Sequence, residues 1–327
     1  MRKFTFRLIS LVTIVSVCLG LCACNFTKDF TLETGMDISV HIGGDDKETE
    51  SQSEPAETTA ATTAEVTETT AAETTAQTEA TETNAKNAAG SELHASIMEE
   101  KPSPDWVTAL PQAKDENTKQ LFIVAALGMD KTAASISMHE RDADGNWVQI
   151  LSTPGFVGKN GLCLDSEHKE GCAQTPIGVY HFNAAFGIAP DPGCAMPYTQ
   201  VTDDIYWSGD MRDGMRYNEM VNINDYPDLD MENSEHIVYY EYEYQYCLNI
   251  SFNEDGTPGR GSAIFLHCLG PEKPYTGGCV AIPENMMKLV MQRVKPDCVV
   301  IIDQMETICP EVWEAWGFAR TESTAVE

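Results

Sequence analysis

From Asp45 to Ala89 the chain contains almost no large apolar residue, so no core can form there. The run AETTAATTAEVTETTAAETTAQTEATETNA is dominated by Thr, Ala and Glu. Such a composition cannot bury enough surface to offset chain entropy. Ala and Glu favour a helix, but the many threonines and the unscreened negative charge oppose it. The stretch reads as a disordered linker, and what folds must lie beyond it, from about Lys101 to Glu327. That length suits one good-sized domain with a real core. As a flexible tether of roughly 65 residues, the linker has an end-to-end distance of about 45 Å.

The chain carries 51 acidic and 21 basic residues, a formal charge of −30. Part of that excess sits in the linker and keeps it extended. A charge of this sign and size argues against nucleic acid as a partner and against a surface that grips anionic lipid.

The N-terminus has the pattern of a targeting segment. Arg2, Lys3 and Arg7 precede an apolar run, Leu8 to Leu21, which is too short for a comfortable membrane span. The run ends in Leu21-Cys22-Ala23-Cys24, which resembles a bacterial lipoprotein signal. On that reading residues 1–23 are removed, Cys24 carries the lipid, and residues 24–94 form the tether. Ordinary secretion with cleavage after Ala23 is the plainer alternative. Cys22 is the poorer lipid site, because bulky Leu21 precedes it. Both routes place the protein outside the cytoplasm, and the first anchors it to the membrane facing the cell wall.

Beyond the linker the pattern is mostly β. Gln120 to Leu127 (QLFIVAAL) reads as a buried strand by its apolar run. Ala134 to His139 and Trp147 to Leu151 follow around the turn Asp142–Asn146, as a meander begins. Val179 to Asn183, Leu248 to Phe252, Ser262 to His267, Cys279 to Ile282 and Val299 to Asp303 read as further strands, and Glu284 to Arg293 as a helix. Ile237 to Tyr246 (IVYYEYEYQY) alternates aromatic and acidic residues and suits a strand with one wet face. Asp203 to Asn233 is polar and aromatic without a period, an irregular excursion over the sheet. Pro310 to Ala319 forms a short helix. Periodicity alone gives a mostly β, α+β domain.

The richest stretch for chemistry is Ser262–Pro283, SAIFLHCLGPEKPYTGGCVAIP. His267 ends an apolar run, and Cys279 follows twelve residues later, directly after Gly277 and Gly278. A thiol becomes a good nucleophile when a base takes its proton and backbone amides receive the developing oxyanion. His267 can be that base, and the two glycines allow a turn tight enough to aim amides at a carbonyl. The bland readings are a buried structural thiol and a satisfied core histidine. Their pairing in one stretch favours acyl transfer through a thioester.

These residues resemble the active-site motif of the L,D-transpeptidases, the YkuD-like catalytic domain. That motif is a histidine, a spacer, then Ser/Thr-x-Gly-Cys and an apolar residue, matched by His267, Thr276, Gly278, Cys279 and Val280. Upstream, EGCAQTPIGVYHFNAAFGIAPDPG, Glu170 to Gly193, looks like the family's Thr-Pro-x-Gly strand and the loop after it. The resemblance covers about Lys119 to Asp303. It implies a mixed β-sandwich or barrel with a few helices over residues 115–305, with 306–327 as a tail. It implies Cys279 as nucleophile, His267 as base, the backbone carbonyl of Cys268 as the group orienting that base, and an oxyanion hole from the amides of Gly278 and Cys279. Tyr198, Trp207, Asn218, Tyr275, Thr276 and Gly277 are candidate substrate contacts, with Tyr217 beside them. The implied substrate is a peptidoglycan tetrapeptide stem. The thiolate attacks the carbonyl of its third residue, D-alanine leaves, and an amine or water resolves the thioester. No cofactor or metal is needed, and a monomer suffices. Two positions depart from the pattern: Gly277 stands where many relatives have histidine, and Ala281 where a polar residue is frequent.

Other classes fit less well. Sortases place threonine directly before the cysteine, whereas Gly278 stands there in this chain; wall-cleaving cysteine peptidases usually put cysteine before histidine. A non-catalytic wall-binding lipoprotein is the reading that Gly277 favours most. The cysteines after Cys24 are Cys163, Cys172, Cys194, Cys247, Cys268, Cys279, Cys298 and Cys309. Setting aside a nucleophile leaves an odd number, so one is free unless chains pair. Cys163 with Cys172 and Cys298 with Cys309 are candidate bridges. A zinc site of Cys163, Cys172 and His168 or His181 is the rival, weakened by the lack of a CxxC pair.

Overall fold

The computed structural model describes residues 98–318 and, ahead of them, two short strands, β1 (Lys28–Thr31) and β2 (Asp37–Val40). These pair antiparallel, Lys28 opposite Val40, as a ribbon within the region read above as tether. The ribbon belongs to a unit of its own. Residues 1–23, Cys24 and the linker from Asp45 lie outside the described residues, as does the chain after residue 318.

The main domain opens with β3 (Lys101–Pro102), α1 (Asp105–Ala109) and α2 (Pro111–Lys114). Then come β4 (Gln120–Ala126), β5 (Ala133–Arg141), β6 (Trp147–Phe156), β7 (Leu162–Leu164) and the long β8 (Thr175–Gly187). The excursion holds β9 (Tyr198–Gln200), β10 (Ile205–Trp207), β11 (Met220–Asn222) and β12 (Glu235–His236). β13 (Cys247–Ile250), β14 (Phe265–Cys268), β15 (Val280–Ile282), α3 (Glu284–Arg293), β16 (Val299–Gln304), α4 (Met305–Ile308) and α5 (Pro310–Ala315) complete it. Eight strands close into a barrel in the order β13-β14-β15-β6-β5-β4-β16-β8, with β8 pairing back to β13. The pairs β14–β15 and β16–β4 are parallel and the others antiparallel. The protein is thus mostly β, with few helices.

Strand alternation explains the apolar run at Gln120–Ala126. Phe122, Val124 and Ala126 face the barrel interior, while Leu121, Ile123 and Ala125 face an outer apolar layer. A strand covered on both faces needs no polar alternation. The outer layer is supplied by Val107, Ala113, Met305, Ile308 and Cys309 from the flanking helices. The Trp147 indole also donates to the Ala113 carbonyl at 3.1 Å. The packed domain therefore extends past 115–305 at both ends. α3 adds Met287, Leu289 and Val290 to the interior cluster. It stops at Val294, and Pro296 follows two residues later, as expected where a helix must end.

Two expectations are corrected. Ile237 to Tyr246 is not a strand but carries two 3-10 turns, Ile237–Tyr239 and Glu243–Gln245. Tyr240 packs on Tyr244, four residues on, with ring centroids 4.5 Å apart. That is helical spacing, and Ile237 and Tyr244 turn inward together. Cys298 and Cys309 do not bridge. Cys298 belongs to the barrel interior and Cys309 to the outer layer, with the sheet between them.

Candidate active site

The apolar strand before His267 and the apolar run after Cys279 fold as the parallel pair β14 and β15. Its register sets Leu266 opposite Val280 and His267 opposite Ala281. Leu266, Cys268, Val280 and Ile282 point into the barrel, so Phe265 and His267 take its outer wall. Cys279 comes one residue before β15, level with Phe265 and diagonal to His267 on the same face.

The His267 ring is buried, and its Nδ1 lies 2.8 Å from the Cys268 carbonyl oxygen. A carbonyl only accepts, so Nδ1 carries the proton and Nε2 of the neutral ring keeps its lone pair. Burial lowers the pKa of this histidine to about 4, against the opposing pull of the Cys268 bond. At neutral pH it is therefore an uncharged base, oriented by the backbone carbonyl of the position that the motif suggests.

The Cys279 thiol donates to the Ala263 carbonyl at 3.1 Å, and the Phe265 N–H donates to its sulfur at 3.3 Å. Burial and then the charge of Glu235 push this thiol well above the ordinary range, while the Phe265 N–H and the Tyr244 hydroxyl pull it down. The resting sulfur is thus a protonated thiol held on Ala263. The thiol proton must leave the Ala263 carbonyl before it can be given to His267.

Threonine hydroxyls build the turn that carries the thiol. Thr276 Oγ1 donates to the Cys279 carbonyl at 2.7 Å and accepts from the Gly278 N–H at 3.1 Å. Thr175 Oγ1, from the Thr-Pro-x-Gly segment, reaches the Gly278 carbonyl at 2.7 Å and accepts from the Gly158 N–H at 2.9 Å. Gly278 sits at φ 143°, and a Cβ there would lie 3.0 Å from the Gln174 carbonyl oxygen, so the position requires glycine. Gly277 has no neighbour within 4 Å of an added Cβ, so the histidine that the motif often carries would meet open space. Valine at Thr175 keeps the shape but strands both Gly158 and Gly278. We expect Thr175→Val to lower unfolding free energy by about 1–3 kcal/mol in urea titrations.

A cavity of about 710 Å³ opens over the pair. Of the expected residues, it is lined by His267, Cys279, Trp207, Tyr275, Thr276 and Gly277. Tyr198 and Asn218 are placed elsewhere. The Tyr198 hydroxyl donates to the Ala189 carbonyl on another side of β8. Asn218 is a buried brace: its Oδ1 accepts from the Trp207 indole and from the Ala263 N–H, both at 3.0 Å. It thereby fixes the residue whose carbonyl holds the thiol. The expected oxyanion donors also separate. The Gly278 N–H is taken by Thr276, while the Cys279 N–H has no protein acceptor among the described residues and is the amide open to an oxyanion. Glu235 and Tyr244, which bear on the sulfur, were missed. Tyr244 lay in the misread strand, and Glu235 in a segment without periodicity.

Donor atoms of Cys163, His168 and Cys172 lie within 4.8 Å of one another. Both His168 nitrogens already face carbonyl oxygens, Arg260 at 2.8 Å and Gln174 at 3.0 Å, so a metal would have to displace one of them. Cys163 and Cys172 are neighbouring thiols. His181 stands apart, against Ser251 and Glu254.

Known protein families provide no match to this chain, and neither do curated protein sequences. Among solved structures, it is similar to the helical cell shape determining protein Pgp2 from Campylobacter jejuni, at 15% identity and a TM-score of 0.30. The match covers 67% of this chain and 55% of that one. At that score the two architectures share too little for one to inform the other.

Proposed function

We propose that this protein is a cysteine acyltransferase of the L,D-transpeptidase type, with Cys279 as nucleophile and His267 as base. The observation that carries the reading is the pairing of β14 with β15. It sets a neutral histidine, oriented by the Cys268 carbonyl, diagonal to a cysteine on one wall of one cavity. The thiol proton passes to His267 Nε2, and the sulfur attacks the carbonyl of the third stem residue. The oxyanion is received by the Cys279 N–H. Collapse expels D-alanine, whose amine takes the proton from His267, and leaves a thioester. An amine then forms a cross-link or a protein attachment, or water trims the stem. The proposed setting is the outer face of the membrane, with Cys24 lipidated and the tether letting the domain sample the wall.

The resting thiol held on Ala263, together with Gly277 in the motif, favours a second reading: a wall-binding lipoprotein whose catalytic domain has lapsed. A carbapenem separates the two. Intact-mass analysis should show one covalent adduct on the wild type and none on Cys279→Ala. A folded, reduced wild type without an adduct would sink the enzymatic reading.

A further inference from the structure

On the lining of the cavity that holds Cys279 lies a carboxylate with no ion pair among the described residues. Glu235, on β12, lines the cavity, and the groups that act on it include no lysine or arginine. Its Oε2 accepts from the Tyr244 hydroxyl at 2.6 Å. The Tyr244 ring is fully enclosed, edge-on to Phe265 and His267 with centroids 5.6 and 5.4 Å away. Tyr244 packs in one cluster with Phe265 and Cys279. In this structure its hydroxyl is given to Glu235, while the sulfur is bonded to the Phe265 N–H and the Ala263 carbonyl.

The surroundings supply no other relief. Glu170, from the loop before β8, adds a second negative charge. Tyr240 and Tyr244 approach from the 3-10 turns, Cys247 from β13 and Cys279 from the catalytic turn, and each is raised first by burial and further by the charge of Glu235. His236 follows on the same strand, its ring stacked on Tyr206. Enclosure pushes Glu235 up to about 7, against the pull of its Tyr244 bond.

We propose that Glu235 and Tyr244 form a switch on the nucleophile: ionised Glu235 keeps the Tyr244 hydroxyl and repels the thiolate, and neutral Glu235 releases that hydroxyl to donate to sulfur. Both act as positioning residues, Glu235 through Tyr244. The inference rests on the proposed role of Cys279, and it implies a nucleophile that gains support as Glu235 takes up a proton.

The test is the rate of Cys279 alkylation by iodoacetamide, read by peptide mass spectrometry on the full chain between about pH 5 and 9. Glu235→Gln removes the charge that holds the Tyr244 hydroxyl and repels the thiolate, so Cys279 should react about tenfold faster at pH 8, equivalent to one unit of thiol pKa. Tyr244→Phe keeps the ring packing but loses the donor, so the rate should fall about tenfold at pH 6, where neutral Glu235 leaves the hydroxyl to the sulfur. The double variant should lose the gain, because the hydroxyl that delivers it is absent. The wild-type profile should flatten as Glu235 ionises, and that flattening should vanish in Glu235→Gln. A merely structural pair would shift both single variants in the same direction, and that outcome overturns the switch. So does an unchanged rate in Glu235→Gln, or a Cys279 unreactive in every variant. If the expected opposite shifts occur but no carbapenem adduct forms, the transpeptidase reading fails and the switch stands.

Discussion

Alanine in place of His267 should slow acylation of Cys279 by a carbapenem by about 10²–10⁴-fold, the usual worth of a positioned general base. The size follows from the state of the thiol. Burial and the charge of Glu235 hold it well above the ordinary cysteine range, so almost no thiolate exists unassisted at neutral pH. His267 is suited to remove the proton because burial keeps it neutral, with a pKa of about 4. The wild-type rate should therefore fall on acidification through about pH 4, as the ring charges and loses its lone pair. The alanine variant should lack that limb and rise only with hydroxide. Adduct formation followed by intact mass over time reads both quantities. A variant that acylates at the wild-type rate would exclude His267 as the base.

Phe182→Ala should cost about 3–5 kcal/mol of unfolding free energy, the range for emptying a large aromatic site in a close-packed core. Phe182 is 1% exposed inside the barrel, and its ring meets Phe122 edge-on at 5.5 Å between centroids. The surrounding strands are locked by ladders on both sides, so the void cannot close by backbone movement. A loss of this size is a large part of the roughly 5–15 kcal/mol that holds a domain together. Val179, three residues earlier on the same strand, is 56% exposed and supplies the control. Val179→Ala should move the urea midpoint little. Similar losses at both positions would contradict the interior assigned to Phe182.

Elements whose signal is local were legible in the sequence. The apolar run at Gln120–Ala126 announced a buried strand because both faces are covered. α3 announced itself through its apolar face at Met287, Leu289 and Val290. The His267–Cys279 pair was legible because the residues that join the two strands are also those that create the site. Thr175 was visible as part of a motif, but its task was not, since its partners Gly158 and Gly278 are distant in sequence. The excursion was opaque for the same reason. Glu235 joins the cavity lining only because β12 pairs with β10, which brings Glu235 opposite Trp207. The tyrosine-rich stretch misled because its alternation mimics a strand, while Tyr240 and Tyr244 meet at helical spacing.

Cys279 and His267 stand on the outer wall of a filled barrel, beside a segment with its own three-stranded sheet and a small core of Tyr206, Val221 and Leu229. That small core is distinct from the barrel interior, yet Trp207 packs on Phe265 and Asn218 holds Ala263, so a change in this segment is felt at the cavity wall.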